Sequence, residues 1–339
     1  MPRERDKSID IVKGIVIILM VAGHAGCPSY FANIICSFHM PCFFIISGML
    51  LNDYYFNHKK NFILKRIKGL YVPFVKWSLI FLVFHNFFVK VHLYSDTYHY
   101  NIHDFEFKVF QIFTMTGTEQ LLGGFWFLKE LLYANIIGLI CLFCGKRHHP
   151  RSTLFFACIL VILAYFQSIC PYKIPTISSK TLLATSYYVF GFFLSTHFNR
   201  IIWKSNFIYI ILFALFVIPF PFRSLNSIGT DIFFFFIFSI VRCIFVIMIS
   251  QKIVKFEYVT NLLCKIGQST LYILIFHFIS FKIISFLLII LGNHSINELK
   301  SFPTILPHSI IVWLLYTFAG IAFPYMIWTI KNRLNYQNN

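Results

Sequence analysis

Ten apolar runs, separated by short polar segments, leave this chain few ways to fold. They lie near 9–26, 34–51, 70–92, 125–144, 153–170, 182–197, 206–221, 231–250, 268–291 and 309–330. A helix rises about 1.5 Å per residue and the hydrocarbon layer is about 30 Å thick, so runs of roughly 16 residues or more are at or near spanning length. The chain is 58% hydrophobic and only 12% charged, about half the charge of an ordinary soluble domain. Polar surface is too scarce to cover a core made from so many runs, whereas lipid tails can serve as their apolar partner. Inside hydrocarbon every backbone N–H and C=O must be satisfied within the protein, which admits only helices and closed barrels. The alternation of barrel strands is missing. The expected fold is therefore all-α: a polytopic membrane helical bundle of about ten transmembrane helices, forming one domain over residues 1–339.

The net charge of +17 does not mark a nucleic-acid protein. The basic residues fall in short clusters between apolar runs, with no basic face and no nucleic-acid motif. Their placement instead sets orientation, because cytoplasmic loops collect Lys and Arg. With the N-terminus inside, the inside segments hold Arg3, Arg5 and Lys7, then Lys59, Lys60, Lys65, Arg66 and Lys68, then Lys146, Arg147 and Arg151. Further along they hold Arg200 and Lys204, then Lys252, Lys255 and Lys265, and finally Lys331 and Arg333, making 18 of the 29 basic residues. The outside loops hold few, such as Lys108, Lys173, Arg223 and Lys300. Both termini are expected to be cytoplasmic. The first run is expected to stay in the protein as a signal anchor, since Asp10 and Lys13 interrupt the apolar region a cleaved signal peptide needs.

Ionisable groups inside membrane helices are expensive, so each is a candidate for function. The first run has three: Asp10, Lys13 and His24. Lys13 and His24 are eleven residues apart, which returns them to nearly one helical face about 16 Å apart along the axis. A cation near the cytoplasmic mouth with an imidazole deeper on that face suits a path for an anionic molecule. Pairing of Asp10 with Lys13 at the interface is the plainer alternative. The second run has His39, at a depth similar to His24, and Pro41, which frees a backbone carbonyl. Two histidines at matched depth fit proton handling, because imidazole titrates near neutral pH; a structural pair is the alternative. Cys141 and Cys144 with His148 and His149 resemble a metal spacing, but they occupy a helix end and a basic loop, and no metal, haem or flavin is expected.

These residues resemble the acyltransferase-3 family of integral membrane O-acyltransferases. The likeness begins with Asp10-Ile11-Val12-Lys13-Gly14 and Gly23-His24 and is strongest in FHMPCFFIISGML at 38–50. It continues through Lys65-Arg66, Tyr71-Val72-Pro73 and Trp126-Phe127-Leu128 to IGQSTLYILIFH at 266–277. The resemblance implies transfer of an acyl group, usually acetyl, from cytoplasmic acyl-CoA to a hydroxyl of a sugar or glycan, within the cell (inner) membrane. It implies no cofactor beyond that co-substrate; the partners are the lipid bilayer, acyl-CoA and a saccharide acceptor. The family's essential histidine corresponds to His24. Its arginine, ten intervening residues earlier, corresponds to Lys13, which keeps the charge but not the planar fork.

On this basis His24 is the expected general base, with an acyl-histidine route left open, and His39 orients it or binds the acceptor. Lys13 and Arg66 are expected at the acyl-CoA phosphates. Asp10, Trp126 and His277 are expected to bind the acceptor or line the cavity. Two rivals share the polar path. A transporter or flippase for a lipid-linked sugar should show repeats and paired broken helices, which are not evident. A polysaccharide polymerase should show large basic outer loops, whereas the outer loop 93–124 mixes Asp96, Asp104, Glu106 and Glu119 with Lys108.

Overall fold

The structure is a computed structural model that describes residues 5–145, 149–171, 176–197, 206–218, 225, 231–292, 295–305 and 309–337. Arg3, Lys146, Arg147, His148, Lys173, Arg200, Lys204 and Arg223, named above, lie outside the described residues. All regular structure among the described residues is helical, with no strand.

The N-terminal helices are α1 (Lys7–His24), α2 (Ser29–Met49), α3 (Tyr54–Asn57), α4 (Lys59–Arg66), α5 (Val72–Val83), α6 (His85–Lys90) and α7 (Ile102–Phe113). They are followed by α8 (Trp126–Cys144), α9 (Pro150–Ile169), α10 (Ser179–His197), α11 (Asn206–Val217) and α12 (Ile232–Ile253). The last are α13 (Glu257–Gln268), α14 (Thr270–Gly292) and α15 (Ile310–Gln337). A π-helical turn covers Ile67–Tyr71, and 3-10 turns cover Asp96–Tyr98, Gln120–Phe125 and Ile296–Lys300.

Among the described residues six helical segments are long and apolar enough to cross a bilayer: α2, Gln120–Cys144, α9, α12, α14 and most of α15. The protein is thus a multi-pass membrane protein. The other four apolar runs also form helices, but α5 and α11 have 12 residues each, and α1 and α10 are more polar, α1 through Lys7, Asp10 and Lys13. The run 70–92 is not one helix. It divides at Phe84, and the next residue, His85, turns its ring to polar partners discussed below. On α15 the side chains of Ile311 and Phe318 are 78% and 70% exposed, as a lipid-facing stripe requires.

Two compact units emerge. Unit 1 contains residues Met1–Val12, Ser29–Tyr71 and Phe127–Asn261; unit 2 contains Lys13–Pro28, Val72–Trp126 and Leu262–Asn339. In unit 1, α2 and α10 meet backbone to backbone. A Cβ on Gly48 would lie 1.9 Å from the Tyr188 carbonyl oxygen, and one on Gly191 2.0 Å from that of Ile45. Small residues drive such contacts in membranes, where dispersion and hydrogen bonding replace the hydrophobic effect. Hydroxyls then cross-link the helices: Ser186 Oγ donates to the Ala157 carbonyl at 2.7 Å, and Thr181 Oγ1 to Glu130 Oε2 at 2.6 Å.

In unit 2, α14 and α15 pack along their length. Gly320 lets Phe281 and Val21 approach, Ser285 and Tyr316 share a hydroxyl bond of 2.8 Å, and Trp313 Nε1 donates to the Ala22 carbonyl at 2.9 Å. The Trp313 bond and the Gly320 gap hold the end of α1 beside α15.

Candidate active site

α1 ends at His24 because the chain turns at Gly26, whose φ of 79° favours glycine, and Pro28 follows. His277 lies in the second turn of α14 and is fully buried. The two imidazoles meet: His24 Nδ1 is 3.0 Å from His277 Nε2. His277 Nδ1 lies 2.9 Å from the Ile273 carbonyl oxygen and 3.1 Å from that of Leu274. Carbonyls only accept, so this nitrogen is protonated and donates to both. In neutral His277 the lone pair is then on Nε2, which accepts from His24 Nδ1–H. The same logic leaves the basic lone pair of neutral His24 on Nε2. A backbone carbonyl thus dictates, through two rings, which atom of His24 can take a proton.

The surroundings are aromatic and tight. Phe278 stacks on His24 with centroids 5.2 Å apart and lies 4.0 Å from the His277 ring. The 3-10 turn Gln120–Phe125 packs against this edge of α14 through two glycines. A Cβ on Gly124 would come 2.8 Å from Leu274 Cδ1 and 3.8 Å from His277 Cε1, and one on Gly123 would touch Phe278 at 3.4 Å.

That turn is anchored by a buried pair, His85 and Glu119, for which the sequence holds no motif. His85 Nδ1 lies 2.6 Å from Glu119 Oε2, its Nε2 lies 2.5 Å from the Tyr98 carbonyl oxygen, and its ring stacks on Tyr100 at 3.5 Å. Burial, and secondly the nearby Glu119 carboxylate, push the phenols of Tyr94 and Tyr100 well above their usual value, so both stay protonated, and the Tyr94 hydroxyl accepts from the Leu121 N–H at 3.3 Å.

The remaining candidates are distributed as follows. Lys13 shares α1 and unit 2 with His24 and is half-buried; beside it Gly14 packs on the Leu263 backbone, where a Cβ would be 2.3 Å from the carbonyl oxygen. Trp126, partly buried, opens α8 and closes that part of unit 2. Asp10, His39 and Arg66 belong to unit 1. Asp10 is buried and accepts from Arg5 Nε at 2.5 Å. His39 is buried and its Nδ1 donates to the Ile35 carbonyl one turn back, at 2.7 Å. Arg66 ends α4 with its guanidinium 4.9 Å from the centre of the Phe62 ring, and its Nε has no hydrogen-bond partner among the described residues. The imidazole that partners His24 Nδ1 is His277, which the sequence suggests only as an acceptor-binding or cavity-lining residue.

Three further ionisable groups buried in apolar helices were missed, although the rule that singled out His24 applies to them equally. Arg242 on α12 donates through Nη1 to Ser37 Oγ and through Nη2 to the Ile218 carbonyl at 2.7 Å. Glu130 on α8 is held by Thr181. Lys282 on α14 donates to the carbonyls of Leu299 and Ser301 at 2.7 and 2.6 Å.

Among comparisons with known proteins, a family model described as an acyltransferase domain matches residues 6–329. No curated protein and no solved structure matches the chain.

Proposed function

The chain belongs to the acyltransferase-3 family and is a membrane acyltransferase, and from that premise we propose that it moves an acyl group, acetyl in the simplest case, from cytoplasmic acyl-CoA to a hydroxyl of a cell-surface polysaccharide or lipid-linked sugar. The observation that supports this most is the 3.0 Å contact between His24 Nδ1 and His277 Nε2, with its tautomer set by the carbonyls of Ile273 and Leu274. It gives His24 a basic Nε2 and a buried hydrogen-bond acceptor on its far side.

The acceptor oxygen attacks the thioester carbonyl carbon, forming the C–O bond, while its proton passes to His24 Nε2. His24 is then an imidazolium whose Nδ1–H still points at His277 Nε2, an arrangement that supports the charge. Collapse of the tetrahedral intermediate breaks the C–S bond, and His24 returns the proton to the leaving thiolate. His277 thereby acts as a positioning residue.

Lys13, on the same helix as His24, is the cation proposed for the donor phosphates, and Arg66 is proposed for that role on its chemistry alone. His39, Asp10 and Trp126 are proposed for acceptor binding or cavity lining. No cofactor or metal is part of the scheme. The cell's inner membrane is the proposed location, with about ten transmembrane helices and cytoplasmic termini.

The experiment is turnover of radiolabelled acetyl-CoA by detergent-purified protein, reading thioester hydrolysis and transfer to glycan and lipid extracts. His24→Ala should fold and lose about 100- to 10,000-fold in transfer, the usual worth of a general base. Intact transfer in a folded His24→Ala protein would remove His24 from the chemistry. Absence of turnover with any acyl-CoA would sink the donor assignment.

A further inference from the structure

A cavity of about 510 Å3 opens on α6 and the 3-10 turn after it, lined by residues that include Phe87, Lys90, His92, Asp96 and His99. None of them has a part in the transfer step. His92 is unusual in two respects. Its φ is 59°, a left-handed conformation that costs energy for any residue but glycine and tends to persist where function requires it. Its Nδ1 is also buried with no hydrogen-bond partner among the described residues. A buried acceptor without a partner is tolerated better than a buried N–H without one. In the neutral ring the proton therefore sits on Nε2, which makes His92 a donor among the residues that line the cavity.

The other lining groups complement that donor. Asp96 accepts from Lys300 Nζ at 2.5 Å, and this bond holds its carboxyl below the usual carboxylate range, so it stays an ionised acceptor. Lys90 adds a second donor, and the Phe87 ring, 56% exposed, offers an apolar plate. Donors, one acceptor and a ring face around an open space match a hydroxyl-rich sugar ring, whose edges hydrogen-bond and whose faces are C–H. A lipid tail would offer Lys90 and Asp96 no hydrogen bond.

Two bridges inside unit 2 connect this cavity to the histidine pair. Lys300 holds Asp96, and two residues on, Phe302 lies 4.8 Å from the Phe278 ring that stacks on His24. His85, at the head of α6, holds Glu119, which leads into Gly123 and Gly124 against Phe278 and His277.

We propose that this cavity is a saccharide subsite that holds a sugar unit of the acceptor other than the one being acylated. The assignment rests on the proposed acceptor class and deepens it: the acceptor is an oligomeric saccharide, gripped away from its reacting hydroxyl.

The test uses the full chain in lipid nanodiscs with radiolabelled acetyl-CoA, a neutral tetrasaccharide, a uronic-acid-containing tetrasaccharide, and the monosaccharide of each. Wild type should favour a tetrasaccharide over its monosaccharide by about tenfold in kcat/KM, the increment expected from one or two added hydrogen bonds. His92→Gly removes the imidazole and relieves the left-handed backbone together. Its thermal midpoint should therefore hold or rise while the tetrasaccharide advantage disappears, through KM for the acceptor. Phe87→Ala should lose the same advantage. If both variants keep it, the subsite is wrong. Saturation-transfer NMR with the same tetrasaccharides reads binding without turnover. Contact that vanishes in His92→Gly, in a protein that acylates neither tetrasaccharide, keeps the subsite and sinks the transfer reading. Acylation unaffected by either variant keeps transfer and sinks the subsite. Neither contact nor acylation overturns both.

Discussion

Arg242 in unit 1 and the His24–His277 pair in unit 2 are both ionisable groups set into apolar helices, and they solve the problem of burial in opposite ways. Arg242 is fully buried and spends its guanidinium on Ser37 Oγ and the Ile218 carbonyl. A guanidinium keeps its proton at any working pH and only donates, so there it can brace α12 against α2 but cannot exchange protons. The histidines are also hydrogen-bonded, but His24 is only half-buried and each imidazole can donate, accept or carry charge. Burial cost alone therefore does not mark chemistry in a membrane helix. A group that can change its protonation state and still reach a substrate does.

Removing each group should leave opposite signatures, and an exchange of those signatures would break the comparison. The largest effect is the loss of transfer in His24→Ala, with its unfolding temperature little changed. Next comes Arg242→Ala, which removes a donor from Ser37 Oγ, already bonded to the Ile34 carbonyl, and from the Ile218 carbonyl, and opens a void on α12. It should cost about 2–4 kcal/mol, read by denaturant titration in mixed micelles, while the folded fraction keeps its turnover. A loss of turnover without a loss of stability would show that Arg242 does more than brace. Gly48→Ala sharpens the account of unit 1. Its Cβ would meet the Tyr188 backbone at 1.9 Å, and backbone cannot rotate away, so about 1–3 kcal/mol of stability should go, with α2 and α10 forced apart.

Gly124→Ala probes unit 2 more gently. The obstruction there is the flexible end of Leu274 at 2.8 Å, with His277 Cε1 just behind at 3.8 Å. About 1 kcal/mol of stability should be lost, together with a fall in kcat if the 3-10 turn steadies His277; unchanged kcat would separate that turn from the site. Asp96→Asn is expected to have the smallest effect. The Asp96 pKa is lowered by Lys300, so the pair adds stability above the unfolded carboxylate value of about 3.9 and loses it as pH falls through the folded value. The variant should match wild type in strong acid and be marginally less stable above about pH 4, by a margin that shrinks in high salt, since the pair is exposed. A gap that widened below pH 4 would contradict the ion pair.

His24 was legible from its position in the first apolar run and from its family motif, and His277 from the motif at 266–277. Their pairing was not. Depth along separate helices pointed to His39 as the partner, whereas His39 bonds the Ile35 carbonyl on its own helix, and His24 meets a ring 253 positions later. The break at Phe84 was also hidden, because apolar residues continue on both sides of it through 70–92. Its cause, the grip of Glu119 and the Tyr98 carbonyl on His85, is a contact between distant residues. Arg242, Lys282 and Glu130 were visible as charges in apolar runs, but their roles depend on which carbonyl or hydroxyl lies opposite.

The sequence by itself determined that this protein is helical and membrane-bound, because apolar length and missing charge act locally, residue by residue, against water or lipid. Its motifs determined the family. Only the tertiary structure decided which buried groups meet and therefore which nitrogen of His24 is basic. Hydrogen bonding is directional and short-ranged, and a tautomer depends on an acceptor within about 3 Å. No spacing along the chain can specify that distance between two helices.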